Sequence, residues 1–273
     1  MRRRSMLTAA AVAVALPGLA AATTLEITVT SSSPTGGLAI TPLYVAFHDG
    51  SVDLFDEGDP ASAGIELVAE EGVANGPGSI AAERLAIQGD SQGAILASPS
   101  GPPPIEPGET VRTRVDVNGG TNRFFSFFSM ILPSNDAFIG VDDPLSFELF
   151  DAGGSFLGPI EIAVTGADIY DAGTEANDFT NGPAFVQGQD INDGGPGEGS
   201  IQQGVGLGLG TIPLGGLTLA SGASFDPALA NFLDDPAAFS VIQISISQVP
   251  IPASALLLIS GFGAVAMMRR RWA

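Results

Sequence analysis

The chain contains no cysteine, no lysine and a single histidine, His48, among its 273 residues. Without cysteine, no disulfide holds an exported domain together, and zinc–thiolate centres and thiol nucleophiles are excluded. With one histidine a His-rich metal site is impossible, and a Ser–His–Asp triad would have to use that residue. Internal repeats are not evident, and aromatic residues make up only 7% of the chain, while 36 glycines and 20 prolines favour short strands and many turns over long helices. All ten basic residues are arginine. Three lie near the N-terminus and three near the C-terminus, which leaves Arg84, Arg112, Arg114 and Arg123 against all 30 acidic residues in the body, a formal charge of −26. Such a surface repels nucleic acid and anionic membranes and suits cations, high salt and solubility outside the cell.

The two ends read as addresses. Residues 1–22 have the parts of a secretory signal: Arg2, Arg3 and Arg4, an apolar stretch from Met6 to Leu16, and small residues through Ala20, Ala21 and Ala22. At the other end Pro250 and Pro252 lead into an apolar stretch from Ala253 to Met268, closed by Arg269, Arg270 and Arg271. That stretch is slightly shorter than the roughly 20 residues that cross a bilayer comfortably. The arginines place its end in the cytoplasm and the body on the far side. Two readings follow, a permanent single-pass anchor and a processing signal. The segment resembles the exosortase-type sorting signals of Gram-negative bacteria, of the VPLPA variety, with Val249, Pro250, Ile251, Pro252 and Ala253 as the motif and Ile251 where leucine is usual. The resemblance implies an exosortase-type processing enzyme as partner, and release or attachment at the cell surface.

Between these ends lie about 225 residues, enough for one large β domain or two small ones. Leu25, Ile27 and Val29 alternate with Glu26, Thr28 and Thr30, and Val111, Val115 and Val117 with Arg112, Arg114 and Asp116. The run Phe124 to Leu132 is apolar on both faces and reads as a buried central strand. Tyr44 to Phe47, Ser146 to Phe150, Ile160 to Val164 and Val241 to Ser247 complete the strand set. Short helices are expected within Ala61 to Glu71 and from a Ser79 cap through Ile87. Ser98 to Gly108, with five prolines, and the Gly-rich stretch from Asn181 to Gly210 read as loops, the second (182–210) as an insert. Spaced strands joined by long loops fit an all-β fold, an antiparallel β-sandwich with one or two short helices, followed by the C-terminal hydrophobic helix.

The residues richest in chemistry form two acidic turns. One is Pro133 to Gly140, carrying Asp136. The other is Asp168 to Glu175, carrying Asp171 and ending in Asn177 and Asp178. Each follows an expected strand, and loops at one end of a sandwich converge. Carboxylate, amide and backbone oxygens gathered there suit Ca²⁺, which takes about 6–8 oxygen ligands. Asp-rich turns also arise simply because aspartate caps its own backbone, so on the residues alone both readings stand.

The stretch SFFSMILPSNDAFIG, followed some way on by YDAGTE and preceded by TPLYVAFHDG and ASAGIELVAEEG, resembles the spondin N-terminal domain family in several motifs in the right order. The similarity runs from Thr24 to Asp178, and more weakly to the strand near Val241. It implies a C2-like β-sandwich over residues 23–248 with a structural calcium at one end. The residues matching its motifs are Asp136, Asp171 and Glu175, with Asp168 added by proximity. The chain departs from animal members in lacking cysteines and in its Gly-rich insert.

Other features read as structural. His48 has Ser51 near it in sequence but no nucleophile-elbow motif, and reads as a loop histidine bonding to the sheet end. Glu70 and Glu71, adjacent on a helix, point about 100° apart and cannot flank one glycosidic bond; they read as a solvated face or a partner-binding acidic edge. The GVGLGLG stretch lacks the lysine and the strand–helix frame of a phosphate loop. The sequence reading is therefore a non-enzymatic, exported binding or adhesion module of the cell surface or extracellular matrix, held by the membrane at least transiently. Its partner would be an extracellular polysaccharide or another surface protein, not nucleic acid. The rival readings are a calcium-dependent hydrolase of matrix polysaccharide and a passive acidic coat protein.

Overall fold

The structure, a computed structural model, describes residues 22–98, 104–179, 182–191, 195–197, 199–212 and 216–250. Almost all of the secretory signal lies outside these residues. So do Ile251, Pro252 and Ala253 of the sorting motif, the hydrophobic C-terminal stretch, and Arg269 to Arg271. Among the described residues no helix is long and apolar enough to cross a membrane.

The chain runs through β1 (Thr23–Ser31), β2 (Ala39–Ile40), β3 (Leu43–His48), α1 (Ala63–Glu71), α2 (Ile80–Ile87), β4 (Gln92–Leu96), β5 (Thr110–Val117) and β6 (Phe124–Leu132). It continues through β7 (Ala137–Gly140), β8 (Ile160–Thr165), β9 (Ile169–Asp171), β10 (Gln202–Gln203), β11 (Leu217–Thr218), β12 (Ser224–Phe225) and β13 (Ser240–Gln248). One sheet has the order β5-β1-β13-β8. The other has the order β10-β9-β7-β6-β3-β4, with β2 added on β6, and β11 pairs with β12 apart from both. The pairings within them are antiparallel.

The period-2 pattern places the main core. Leu25, Ile27 and Val29 of β1 and Ile242, Ile244 and Ile246 of β13 pack with Val45, Phe47, Phe125, Phe127, Ile131 and Ile139 of the larger sheet. The mostly antiparallel sandwich expected from the sequence is therefore present. The larger sheet is covered on its other face too. There Tyr44, Phe55, Phe128, Phe138 and Tyr170 form a second core with Ile65, Val68 and Ala69 of α1 and Ile80 of α2. This double burial is why the sequence of β6 has no polar face.

The two helices form where local signals agree with packing. Ser62 accepts from the Ile65 amide at the start of α1, and Gly72 ends it in the left-handed region at φ 66°. Ser79 caps α2 through the Ala82 amide. Glu83 of α2 also reaches the start of α1, accepting from the Gly64 amide at 2.8 Å and from the Ser62 hydroxyl at 2.7 Å. A carboxylate there satisfies a free amide and sits well with the helix dipole.

Three sequence readings need correction. Ser146 to Phe150 is not a strand: it makes only the isolated bridges Phe124 to Glu148 and Phe150 to Phe156, although Leu149 and Phe150 are buried. The acidic turns contain short strands, β7 and β9. The stretch read as a surface insert packs in part against the body. Ala184, Ile201 and Leu207 are buried, and β10 extends the larger sheet by pairing with Tyr170 and Asp171.

Candidate metal centre

The acidic turns meet because β7 pairs with β9. Ala137 lies opposite Asp171, Phe138 opposite Tyr170 and Ile139 opposite Ile169. The turn after β6 is held by Ser134, whose hydroxyl donates to the Ile131 carbonyl at 2.7 Å and accepts from the Ala137 amide at 3.1 Å. The pairing continues one residue further, since the Ala172 amide donates to the Asp136 carbonyl at 3.1 Å. Asp136 and Asp171, far apart in sequence, become neighbours by strand register.

Asp136 has no exposed surface. Its Oδ2 accepts from the Thr174 amide at 2.7 Å, the Glu175 amide at 2.9 Å and the Thr174 hydroxyl at 3.2 Å. Its Oδ1 is buried with no hydrogen-bond partner. Asp171 accepts from the Gly173 amide at 2.7 Å and from the Asn177 side-chain amide. The Asn177 carbonyl oxygen, Oδ1, is in turn buried and unpartnered. Gly173 is required at the bend: its φ is 67°, and a Cβ would fall 2.4 Å from the Ser200 carbonyl. All three donors to Asp136 thus come from the segment that Gly173 turns back.

Electrostatically this is a site of crowded negative charge. Burial, and then the Asp171 carboxylate, push Asp136 up to about 6 against the pull of its hydrogen bonds. Burial, then Glu70 and Asp136, push Glu175 up to about 7. Glu70 is raised as well, chiefly by burial and further by Glu66 and Glu71. Ionised and unneutralised, these groups oppose folding.

Strand pairing and the turn at Gly173 thus bring Asp136, Asp171 and Glu175 near one another. Asp168 is engaged elsewhere, its Oδ2 accepting from the Thr165 amide at 2.7 Å and the Thr165 hydroxyl at 3.0 Å in a capping box. Glu70 joins the group from α1, where the sequence suggested only a solvated or partner-binding edge. Nothing local signals this; it follows from the packing of α1 across the larger sheet. Asn177 closes one of the motifs, but its unsatisfied oxygen shows only in three dimensions. Among the described residues no three His, Asp or Glu side chains are arranged to hold a metal ion by themselves. The oxygens that lack donors are one carboxylate and one amide, a mixed set that suits a hard cation completing its shell with backbone oxygens and water.

The Ser-x-Asp turn between β6 and β7, and the Asp-Ala-Gly-Thr-Glu segment that begins at the last residue of β9, both lie in a stretch matched by a family model. The model, Spondin_N, aligns with residues 32–188, more than half of the chain. The chain belongs to the Spondin_N family. The matched region contains every residue of the acidic site. It stops short of β1 and β13, the central strands of the smaller sheet, so this Spondin_N chain completes its sandwich with segments on either side of the match. A comparison with curated proteins finds no match.

Two other places in the Spondin_N chain bear on catalysis. His48 is fully buried at the end of β3, with Nε2 2.9 Å from the Ser126 hydroxyl and Nδ1 accepting from the Gly50 amide at 3.1 Å. The amide bond puts the ring proton on Nε2. Asp49 turns away and binds the Ser51 amide and hydroxyl at 2.8 and 2.6 Å. Among the described residues no acid orients the ring, and the arrangement is not that of a triad. Burial, then Arg84, push His48 down to about 4. Its ring resonances are therefore expected to hold their neutral positions from pH 8 to about pH 5; an NMR titration with a midpoint near 6.5 would contradict this placement.

A pocket of about 260 Å³ lies beside Phe127, Phe147 and Tyr170 and is lined by Asp142, Asp143 and Asp168. Asp143 is occupied by the Leu145 amide and Asp168 by Thr165. Asp142 is held above its ordinary range, by burial and then Asp56. A glycosidase needs two facing carboxylates with separated roles, so the hydrolase reading gains nothing from this pocket.

Proposed function

We propose that the chain is an exported binding module of the cell surface or extracellular matrix, in which a divalent cation of the calcium class ties the two acidic segments together. The observation that carries the cation is the pair of buried, donorless oxygens, Asp136 Oδ1 and Asn177 Oδ1, amid carboxylates that burial and mutual repulsion hold above their ordinary range. An unsatisfied buried acceptor costs about 1–3 kcal/mol, more when charged. A bound cation would satisfy both oxygens and cancel the repulsion. Asp136 and Asn177 would hold it, with Asp171, Glu175 and Glu70 supplying further charge. The cation's chemistry there is structural: it neutralises charge and fixes the loops.

Membership of the Spondin_N family favours an extracellular setting. On this reading the exosortase-type enzyme acts at Val249 to Ala253, the C-terminal segment anchors the chain in the inner membrane transiently or permanently, and the body meets an extracellular polysaccharide or another surface protein. A passive acidic coat would bind many ions weakly. Calorimetric titration of the metal-depleted protein with Ca²⁺ separates the two. One saturable site, and retention on a polysaccharide matrix only with calcium, supports the module. A non-saturating isotherm matched by sodium supports the coat.

The charge crowding also fixes a pH dependence. Asp136 and Glu175 have folded-state values above their unfolded ones, so the folded protein binds protons more tightly than the unfolded. Stability in chelator therefore falls as pH rises from about 4 to about 7 through these groups. His48 acts in the opposite sense, so the contribution is read as a difference. The melting temperature of Asp136→Asn minus that of the wild type, both in chelator, is expected to grow across this range. A flat difference would mean that Asp136 ionises normally.

A further inference from the structure

Beyond the stretch that the Spondin_N model matches, Ile212 and the segment from Gly216 to Leu229 lie against the body and form a cavity with it. One wall is made by the loop after β1 and the turn before β5. The other runs from β12 to Leu229. The walls are tied together at two places: the Asp226 amide donates to the Gly36 carbonyl at 2.8 Å, and the Ser221 hydroxyl donates to Glu106. The cavity has a volume of about 910 Å³. That is at the upper end of the roughly 300–1,000 Å³ of small-ligand sites.

Its lining is of two kinds. Pro107, Ile212, Pro227 and Leu229 supply apolar surface, and Leu229 is 38% exposed. Glu106 and Asp226 supply two carboxylates. The fold engages one oxygen of each: Glu106 Oε1 accepts from Ser221, and Asp226 Oδ1 accepts from the Ala228 amide at 3.0 Å. The other oxygens, Glu106 Oε2 and Asp226 Oδ2, make no hydrogen bond among the described residues. None of the four arginines of the body is among the described residues of the lining.

Charge decides which ligand suits this lining. A uronate or a sulfated sugar would bring anions to carboxylates in a body of formal charge −26, and would be repelled. A neutral sugar would donate hydroxyls to the free oxygens but leave their charge unmatched. An ammonium group donates to a carboxylate in charge-assisted hydrogen bonds, roughly twice as strong as neutral ones. The C–H faces of sugar rings in turn suit walls of proline and leucine. We propose that the cavity binds a short stretch of polysaccharide whose sugars carry free, unacylated amino groups. The proposal rests on the reading of the chain as a module that meets an extracellular polysaccharide, and it gives that partner a charge. Glu106 and Asp226 hold the ammonium groups, and the apolar walls hold the ring faces. The site shares no residue with the candidate metal centre.

The test is calorimetric titration of the full-length chain, saturated with calcium, with three trimers: glucosamine, N-acetylglucosamine and galacturonate. The glucosamine trimer is expected to bind one saturable site, about tenfold or more tighter than the N-acetylated trimer. Glu106→Gln combined with Asp226→Asn keeps an acceptor for Ser221 and for Ala228 and removes both charges. It is expected to weaken the glucosamine trimer about tenfold, with the melting temperature and the calcium affinity of the wild type. Glucosamine trimer bound at full strength by the double variant would reveal diffuse attraction to the acidic surface and overturn the proposal. Equal binding of the glucosamine and N-acetylated trimers would overturn it too. If the galacturonate trimer alone binds, the cavity proposal falls while a polysaccharide partner stands. If no trimer binds and no polysaccharide matrix retains the chain, both fall.

Discussion

Asp136→Asn is expected to stabilise the metal-free protein and to destabilise the calcium-loaded one. The asparagine keeps an oxygen for the three donors from Thr174 and Glu175 and replaces the donorless Oδ1 by an amide that can donate to neighbouring carboxylates. A shift from 3.8 to about 6 corresponds to about 3 kcal/mol at most above neutral pH. Recovering a third to a half of this raises the midpoint in chelator by about 3–6 °C. In calcium at a hundred times its dissociation constant the wild type gains about 2.7 kcal/mol, or about 5–10 °C, which the variant lacks. The two melting curves therefore change order between chelator and calcium. If Asp136→Asn melts below the wild type in both, its charge serves the apo fold and the cation reading fails.

The second large effect is expected at Phe138, which lies two residues past Asp136 on β7. Its ring stacks on Phe128 at 4.4 Å and on Tyr170 at 5.5 Å, with Phe55 edge-on at 5.1 Å. Truncating a buried phenylalanine costs about 3–5 kcal/mol, so Phe138→Ala should melt about 10 °C lower. Because Phe138 faces Tyr170 across the β7–β9 pair that aligns Asp136 with Asp171, calcium should also bind less tightly. Phe47→Ala provides the comparison. Phe47 is equally buried, in the core between the sheets and against Phe125, and its loss should lower the midpoint by a similar amount with the calcium response intact. Equal calcium responses in both variants would show that register at β7 does not shape the site.

The elements that were legible in the sequence are those whose local pattern and tertiary burial coincide. β1 alternates and is buried on alternate residues; β6 has no polar face and is buried on both; α2 begins after the serine that caps it. β7 and β9 were not legible. They are four and three residues long, they sit among turn-forming residues, and their pairing with each other comes from tertiary register rather than from local preference. β4 begins Gln-Gly, and the glycine makes sense only beneath Tyr44. Ser146 to Phe150 shows the converse: the residues it buries, Leu149 and Phe150, are neighbours rather than alternate positions, and its backbone is held by isolated bridges. Of the site, the carboxylates on the two motifs were legible. The role of Glu70 and the unsatisfied oxygen of Asn177 depend on how α1 and the segment after Gly173 pack, and no spacing in the sequence encodes that.

β13 ends one residue before Val249, whose amide donates to the Thr24 carbonyl at the start of β1. The strand runs between β1 on one side and β8 on the other, with seven and six residue pairs in register. A pull transmitted through residue 250 therefore acts along a strand clamped on both flanks. The hydrogen bonds of both ladders are strained together in shear, where a strand at the edge of a sheet would peel away one bond at a time. A domain fastened at this point can be tugged by whatever it holds without its last strand being the first part to give way.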